Sequence, residues 1–270
     1  MKIAVVLSLI FISSVFAKVH NLLPEGRIAG GYEAKPKSAP FIVSIQLKSN
    51  NGFIHYCGGS IIDANWILTA AHCLYEKNTR NMKIEAGRHN LKDQESTAQQ
   101  RTIDSFVIHK LYTGGVAPYD IALIYTNQAF IWTDAVKPAM LPSADKIPSG
   151  NVAIYGWGST SKMTGAQFPD VLQTAVVKVL AQQECKKLLG NGNANLHDTN
   201  MCTASPPEGV GVCSSDSGGP LVSGKDEVIG VVSWGEVPCG KPYSPSVYVR
   251  VSAFVNWISE KKSGHKVVTN

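Results

Sequence analysis

Apolar residues gather in short segments that end in clusters of Gly, Pro, Asn and Ser. Segments of this length, rich in Val, Ile and aromatic residues, are typical of β-strands. Only one segment, near the end of the chain, has a helical pattern, so the sequence predicts an all-β sandwich or barrel arrangement. The six clearest predicted strands cover residues 41–47, 66–71, 121–126, 152–158, 228–235 and 246–251.

The helical pattern lies between residues 252 and 262. Phe254, Val255 and Ile258 fall on one face there, and lysines occupy the last turn. Ser252 is placed where its side chain can cap the first turn. A C-terminal helix over 252–262 is therefore expected.

Prolines indicate where the β structure divides. Pro138, Pro142 and Pro148 fall in the segment 131–150, which contains no predicted strand. We therefore expect two β domains, the first ending near residue 137 and the second covering about 138–251.

The first 17 residues, MKIAVVLSLIFISSVFA, combine Lys2, an apolar run and small residues that end at Ala17. This order predicts a secretory signal peptide over 1–17, and hence a secreted, extracellular protein. A buried N-terminal strand is the alternative. The run is too short to span a membrane, and no later stretch approaches about 20 consecutive apolar residues, so no membrane partner is expected.

Composition and charge exclude some classes of function. The chain has 270 residues, of which 44% are hydrophobic and 17% charged, enough for one or two globular domains with a sizeable core. The formal net charge of +5 falls to +3 once residues 1–27, with three basic and one acidic side chain, are removed. The remaining charges are scattered, so no nucleic-acid partner is expected.

Six cysteines follow the predicted signal peptide. An even number in an exported chain predicts three disulfides, although the count alone leaves many pairings open. No C-x-x-C or H-x-x-x-H spacing occurs, so no metal site is expected. The cysteines are Cys57, Cys73, Cys185, Cys202, Cys213 and Cys239.

Three short motifs contain residue types that are used in catalysis. They are TAAHC at 69–73, YDIALI at 119–124 and CSSDSGGP at 213–220. Each alone has an ordinary explanation: a structural histidine, a turn aspartate and a Ser-Gly-Gly-Pro loop. Together and in this order they resemble the chymotrypsin-like serine proteases, and the resemblance runs from Arg27 to about Lys262.

The resemblance implies two six-stranded antiparallel β-barrels packed around a catalytic cleft, in a monomeric protease unit over 28–270. It implies Ser217 as the nucleophile, His72 as the general base and Asp120 as the carboxylate that orients the base, with Ser233 helping to bind Asp120. These residue types suit the chemistry because a serine hydroxyl becomes a good nucleophile when an imidazole takes its proton. No cofactor is expected, and the expected partners are protein or peptide substrates and protein protease inhibitors.

The stretch EGRIAGG resembles the family's activation site. Cleavage by a trypsin-like protease after Arg27 is expected to release a propeptide, residues 18–27, and to make Ile28 the new N-terminus. The resemblance implies that the freed α-ammonium pairs with Asp216 beside the nucleophile. A buried ion pair of this kind acts as a switch for the adjacent amides.

Two further residues are assigned to the uncut precursor by the same resemblance. Ser44 and His55 match positions that hold Asp216 before cleavage. The disulfides are implied as Cys57–Cys73, Cys185–Cys202 and Cys213–Cys239, each a source of about 2–4 kcal/mol of stability.

The residues of the specificity pocket are also implied by the resemblance to the family. Gly211 stands where trypsins carry the Asp that binds Lys or Arg, so a basic preference is not supported. Gly235 leaves the entrance open, Val212 is apolar, and Ser246 replaces a glycine that is common on the far wall. An uncharged, fairly open slot is expected to accept large apolar or aromatic side chains, with Leu and Met competing with Phe and Tyr.

Ser215 is a departure from the family pattern. The amides of Ser217 and of the residue two before it bind the developing oxyanion, and the second position is nearly always glycine in the family. Serine retains the N–H donor. Its direction is the concern, because glycine tolerates backbone angles that cost other residues about 1–2 kcal/mol. A protease with altered turnover or inhibitor sensitivity is therefore expected.

A secreted protease zymogen is the expected function, and two other functions are alternatives to it. A protease-like binding protein with weakened catalysis is the main alternative, supported by Ser215 alone. An extracellular structural protein would leave the activation site unexplained. Arg88 replaces a carboxylate of the trypsin calcium loop, matched here by GRHNLKDQE at 87–95, and this argues against a calcium requirement.

Overall fold

A computed structural model describes residues 28–161, 166–190, 196–207, 209–224 and 226–265 of the chain. The predicted signal peptide, the propeptide and Arg27 lie outside these ranges. Within them, no helix is long and apolar enough to cross a membrane.

Fourteen strands and two α-helices make up the described chain. The helices are α1 (Gln182–Leu189) and α2 (Val255–Gly264), and short 3₁₀ turns cover Ala71–Cys73, Thr79–Asn81 and Val251–Phe254. The strands are β1 (Tyr32–Glu33), β2 (Ile42–Ser49), β3 (Gly52–Asp63), β4 (Trp66–Thr69), β5 (Met82–Ala86), β6 (Gln99–Arg101), β7 (Ile103–Ile108), β8 (Ala122–Thr126), β9 (Asn151–Gly156), β10 (Gln173–Leu180), β11 (Asn200–Thr203), β12 (Pro220–Ser223), β13 (Glu227–Gly235) and β14 (Ser246–Arg250).

The first sheet is a half-barrel in the order β6-β5-β2-β3-β4-β8-β7. All its pairings are antiparallel, and the β2–β3 pairing at its centre sets Val43 opposite Gly59. Ile45, Leu68 and Leu123, from three different strands of this sheet, are fully buried. In the described chain no ladder joins β6 to β7, so this sheet remains open.

The second sheet closes into a barrel. Its order is β1-β10-β11-β14-β13-β12-β9, and β9 also pairs with β10, so six strands form a closed ring. The two-residue strand β1 is added outside the ring, where Tyr32 lies opposite Thr174. The start of the described chain therefore lies on the second sheet, although it precedes every strand of the first.

The predicted fold class is confirmed: the molecule is mostly β, with a closed six-stranded barrel, a half-barrel and a C-terminal helix. All six predicted strands are present. Two local predictions were wrong. Helix α1 was not predicted. Helix α2 begins at Val255 and not at residue 252, because Val251–Phe254 forms a 3₁₀ turn. In this turn the Ser252 hydroxyl donates to the Lys146 carbonyl at 2.6 Å instead of capping the helix.

Three disulfides brace the two sheets. The structure contains Cys57–Cys73, Cys185–Cys202 and Cys213–Cys239, the pairs that the resemblance implied. The first joins β3 to the 3₁₀ turn after β4, the second joins α1 to β11, and the third ties the loop before β12 to the segment after β13.

Candidate active site

His72 lies in the 3₁₀ turn that follows β4. The turn is held from two sides. Thr69, at the end of β4, donates through Oγ1 to the Gly58 carbonyl at 2.8 Å, and a disulfide joins Cys73 to Cys57. Nitrogen and sulfur ligand atoms of His72 and the two cysteines lie within 4.8 Å of one another, but disulfide sulfurs are not available as thiolate ligands for a metal.

Asp120 is almost completely buried in front of β8, with 1% of its surface exposed. One carboxylate oxygen accepts from the backbone N–H of His72 at 2.9 Å, and the other lies 2.8 Å from His72 Nδ1. Ser233 in β13 of the second sheet donates to the latter oxygen at 2.6 Å. Because the ionised carboxylate accepts from Nδ1–H, the other ring nitrogen of His72 is left as a proton acceptor.

Ser217 lies in the loop before β12 and is partly exposed. Its carbonyl accepts from the Gly58 amide at 2.8 Å. The next residue, Gly218, has φ 76°, and a Cβ there would meet Thr69 Oγ1 at 2.2 Å. Glycine is required for this close approach. Through it the serine loop, residues 213–219, packs against Thr69 at the end of β4, and His72 follows three residues later.

Two backbone N–H groups at and near Ser217 are not used in hydrogen bonds within the described protein. Within the described ranges, neither the Ser215 nor the Ser217 N–H makes a hydrogen bond. The Ser214 carbonyl accepts from the Ser159 amide at 2.8 Å. Because a trans peptide is planar, the Ser215 N–H points away from Ser159. The two free donors can therefore serve an oxyanion at Ser217.

Ser215 has φ 71°, the left-handed conformation that favours glycine. Its carbonyl accepts from His55 Nε2 at 3.0 Å. Since that nitrogen is the donor, His55 Nδ1 accepts from the Ser44 hydroxyl, 2.8 Å away. Burial lowers the pKa of His55 to about 4, against the opposing effect of the Ser215 hydrogen bond, so the ring is neutral at pH 7.

Ser44 and His55 therefore support the loop that carries Ser217, at Ser215. The resemblance had implied that they hold Asp216 in the uncut chain, and this contact is not made in the described structure. The physical reason is that both ring nitrogens of His55 are engaged, by the Ser44 hydroxyl and the Ser215 carbonyl, while the two oxygens of Asp216 are bonded to other groups. These oxygens accept from the Gly158 and Cys213 amides, each at 2.9 Å.

Asp216 is a buried carboxylate with 3% of its surface exposed. Burial raises its pKa to about 7, although its two amide hydrogen bonds act in the opposite direction. A Cβ on Gly158 would lie 2.3 Å from its carboxyl carbon, so the backbone there encloses it closely. No basic side chain of the described residues forms an ion pair with it.

Ile28 is buried at the base of the same loop. Its side chain is 1% exposed in the core of the second barrel, together with Ile154 and Val212. The next residue, Ala29, forms a bridge with Gly211, whose amide donates to the Ala29 carbonyl at 3.1 Å. The segment that follows the predicted cleavage point thus lies against the segment leading to Ser217.

Gly211, Gly235 and Ser246 lie around Val212. The Ser246 hydroxyl accepts from the Val212 amide at 3.2 Å, and a Cβ on Gly211 would lie 3.0 Å from this hydroxyl oxygen. A Cβ on Gly235 would meet only Val212, at 3.7 Å. The three predicted pocket residues are therefore brought together, and none of them carries a charge.

The loop that matches the trypsin calcium loop is cross-linked by its own side chains. Arg88 lies 3.0 Å from a carboxylate oxygen of Glu85 and also donates to the Asp93 carbonyl. Glu95 accepts from the His89 and Asn90 amides at 2.7 and 3.1 Å. The guanidinium thus binds a carboxylate and a carbonyl, which are also the ligand types that calcium prefers.

Similarity to known proteins agrees with this geometry. Residues 28–258 match the family model described as Trypsin. The chain belongs to the trypsin family of serine proteases. It is 40% identical over 251 residues to Lectizyme of Glossina austeni, covering 88% of this chain and 87% of the relative. It is 33% identical over 237 residues to Trypsin-1 of Astacus astacus, covering 86% and 98%.

A solved member of the family has the same fold. The structure described as neuropsin, a serine protease expressed in the limbic system of mouse brain, superposes with a TM-score of 0.75 at 29% identity, covering 86% of this chain and 98% of that one. As a serine endopeptidase of the trypsin family, the protein hydrolyses peptide bonds in protein substrates.

Sequence reasoning missed two supporting residues of this trypsin-family site. Ser159 orients the Ser214–Ser215 peptide through its backbone amide, and Gly158 supplies a hydrogen bond to Asp216. The stretch WGS at 157–159 directly follows β9, although the predicted strand extended to residue 158, and the end of a strand is where loop amides of functional sites are often presented. A backbone role leaves no side-chain signature, so the sequence could not assign it.

Ser215→Gly is expected to raise the free energy of unfolding by about 1 kcal/mol, because glycine adopts φ 71° without strain. The kcat is expected to change by less than about threefold, since the amide of Ser215 is already free. Urea unfolding and steady-state kinetics measure both, with Ser214→Gly as the matched control. A rise in kcat of about 10²-fold would mean that the wild-type amide is misdirected.

The raised pKa of Asp216 predicts that the stability of the uncut chain and that of the cut chain depend differently on pH. The pKa of Asp216 is raised from 3.8 to about 7, so between these pH values the folded uncut chain keeps a proton that the unfolded chain has lost. The contribution of Asp216 to the stability of the uncut chain therefore falls as the pH rises from about 4 to about 7. His55 acts oppositely, because its pKa is lowered from 6.5 to about 4 and its contribution is lost as pH falls through that range.

Cleavage at the predicted site after Arg27 would add an α-ammonium that favours the charged form of Asp216, while His55 is common to both forms. The unfolding temperature of the cut form minus that of the uncut form is therefore expected to increase from about pH 4 to about pH 7. Calorimetry on Ser217→Ala protein, which cannot digest itself, gives both values. A difference that stays constant with pH would contradict the pairing.

Proposed function

We propose that Ser217, His72 and Asp120 form the catalytic triad of this endopeptidase. The observation that carries the proposal is the buried Asp120 carboxylate, which binds His72 from the first sheet and Ser233 from the second. In the proposed reaction, Ser217 Oγ attacks the scissile carbonyl and its proton passes to His72 Nε2. The same proton is then given to the leaving amine, and an acyl-enzyme remains.

The oxyanion of this reaction is stabilised by backbone groups. As the carbonyl carbon becomes tetrahedral, its oxygen gains charge, and the N–H groups of Ser215 and Ser217 donate to it. Water then attacks the acyl carbon and gives a proton to His72. The bond from that carbon to Ser217 Oγ breaks, His72 returns the proton to Ser217 Oγ, and the released product carries the new carboxylate. The two unengaged amides in the described structure support this step.

The protease is proposed to be a secreted zymogen. Trypsin-like cleavage after Arg27 converts the Ile28 amide nitrogen into an α-ammonium. Two observations support the activation step. The buried Asp216 carboxylate has no cationic partner within the described ranges, and Ile28 is buried next to Ala29, which forms a bridge with Gly211. Neutralising Asp216 in this way holds the loop that carries the oxyanion amides.

The proposed preference is for large apolar or aromatic residues before the cleaved bond. It is supported by the uncharged set of Gly211, Gly235 and Ser246. Burial of such a side chain gives about 1.5–3 kcal/mol. The proposed activity also implies protein protease inhibitors among the partners, and it assumes action as a monomer.

A panel of peptide substrates tests this preference. After trypsin treatment and trypsin removal, kcat/KM for substrates with Phe, Tyr, Leu or Met before the bond is expected to exceed that for Arg by about tenfold or more. Sequencing of the treated protein is expected to give Ile28 as the first residue. Equal cleavage after Arg and after Phe would contradict the proposed pocket.

A further inference from the structure

The residue before Asp120 has an unusual conformation. Tyr119 has φ 63°, in the left-handed region that a bulky side chain rarely adopts. The turn around it is tight, because the Ile121 amide donates to the Tyr119 carbonyl at 2.7 Å and the His109 amide donates to the Ile121 carbonyl at 3.0 Å. A backbone of this kind persists only where surrounding contacts hold it.

Two histidines in segments next to strands of different sheets contact the Tyr119 ring. His109, directly after β7, stacks on it with ring centroids 5.0 Å apart and planes 8° from parallel. His197, shortly before β11, lies at 5.0 Å with a tilt of 46°. Phe254, at the turn before α2, makes an edge contact at 6.2 Å. The ring therefore contacts segments that adjoin both sheets and the 3₁₀ turn before the C-terminal helix.

Backbone amides orient both imidazoles. The Leu111 amide donates to His109 Nδ1 at 3.4 Å, and the Thr199 amide donates to His197 Nδ1 at 3.2 Å. Each imidazole is thereby held with Nδ1 toward its donor, and its ring is free to pack on the aromatic ring of Tyr119.

Asp120 joins the same two parts of the molecule. Its carboxylate binds the backbone and ring of His72 on the first sheet and the hydroxyl of Ser233 on the second. Tyr119 and Asp120 are consecutive, so the angle at which the chain enters Asp120 depends on where the Tyr119 ring is held. The side chain at 119 is thus mechanically linked to the carboxylate at 120.

We propose that Tyr119 is a positioning residue for Asp120: its ring, held by His109 and His197, maintains the left-handed turn that directs the carboxylate toward His72. The proposal rests on the triad proposed above. A purely local explanation is the alternative, in which position 119 needs only a residue that tolerates the backbone conformation.

Tyr119→Gly separates the two explanations, because glycine tolerates the positive φ but removes the ring. It is expected to lower kcat by about tenfold or more with KM changed less than about twofold, and to shift the acidic limb of the pH profile of kcat. Tyr119→Phe, which keeps the ring, is expected to restore most of the lost kcat. Asp145→Gly, at an exposed position with φ 59°, is the matched control.

A double-mutant cycle makes the test specific. In an Asp120→Asn background, Tyr119→Gly is expected to cause little further loss of kcat, because the carboxylate that it positions is gone. If Tyr119→Gly does not fold, Tyr119→Asn takes its place, since Asn also tolerates this conformation.

Two results would overturn the positioning role: an unchanged kcat for the ringless variant, or a loss that persists in full in the Asp120→Asn background. Ser217→Ala is assayed in parallel. If that variant kept its activity, the proposed triad itself would be wrong, which is a distinguishable outcome.

Discussion

Ser217→Ala in the cut enzyme is expected to lower kcat by about 10⁴-fold or more, because the substitution removes the hydroxyl on which the proposed acyl-enzyme forms. The residual rate comes from the oxyanion amides of residues 215 and 217, which are backbone groups that the substitution leaves in place. Hydrolysis of a peptide substrate with Phe before the bond measures the loss, after an unfolding curve has shown that the variant is folded.

Ser214→Ala is the matched control for this loss. Ser214 lies in the same loop and is exposed, and its structural hydrogen bond is made by its backbone carbonyl. Its kcat is expected to remain within about threefold of the wild type. A Ser217→Ala variant that kept more than a few per cent of the activity would place the nucleophile elsewhere.

Arg27→Gln is expected to keep the protein inactive after trypsin treatment. The bond before Ile28 is no longer a trypsin site, so no α-ammonium forms to neutralise Asp216. The expected activity is at least about 10²-fold below that of the treated wild type, the size of effect that follows from losing an oxyanion donor. Activity is assayed together with the N-terminal sequence, because both are needed to relate cleavage to function.

Lys18→Gln provides the control for this experiment, because it removes another basic residue of the proposed propeptide and leaves Arg27 in place. This variant is expected to be activated like the wild type. Full activity in uncut Arg27→Gln protein would show that the enzyme needs no new N-terminus, and the zymogen proposal would fail.

The strands could be predicted from sequence because each is a short apolar segment that ends at turn residues. The region 228–235 is an example, since it is a mostly apolar run whose residues 228–233 are buried in β13. Helix α1 could not be predicted in this way. It is only eight residues long and has no side-chain cap, and it is held by the burial of Cys185 and Leu189.

Long-range pairing was beyond the reach of the local pattern. Nothing in Tyr32–Glu33 indicates that this strand adds to β10 of the second barrel, because the partner lies about 140 positions further along. The closure of a sheet into a barrel could not be predicted either. The second sheet closes because β9 pairs with both β10 and β12, whereas the first sheet stays open at β6 and β7. Such differences depend on strand register and tilt, which the apolar pattern does not encode.

The candidate site divides in a similar way. Side chains with a chemical role, such as Ser217, could be named from their motifs. Contacts made through the backbone could not, and they include the Ser159 amide on the serine loop and the His55 ring on the Ser215 carbonyl. The conformation of Ser215 was questioned from sequence because glycine is usual there, and the structure gives it a glycine-like φ of 71°.

Labelling of the serine hydroxyl by a serine-directed phosphonate tests the central claim most directly. Mass spectrometry of the trypsin-treated protein is expected to find one label per chain, located on Ser217, and very little label on the precursor. A protein that remained unlabelled after cleavage, or that carried the label on another residue, would contradict the account and would favour a binding protein that retains only the fold.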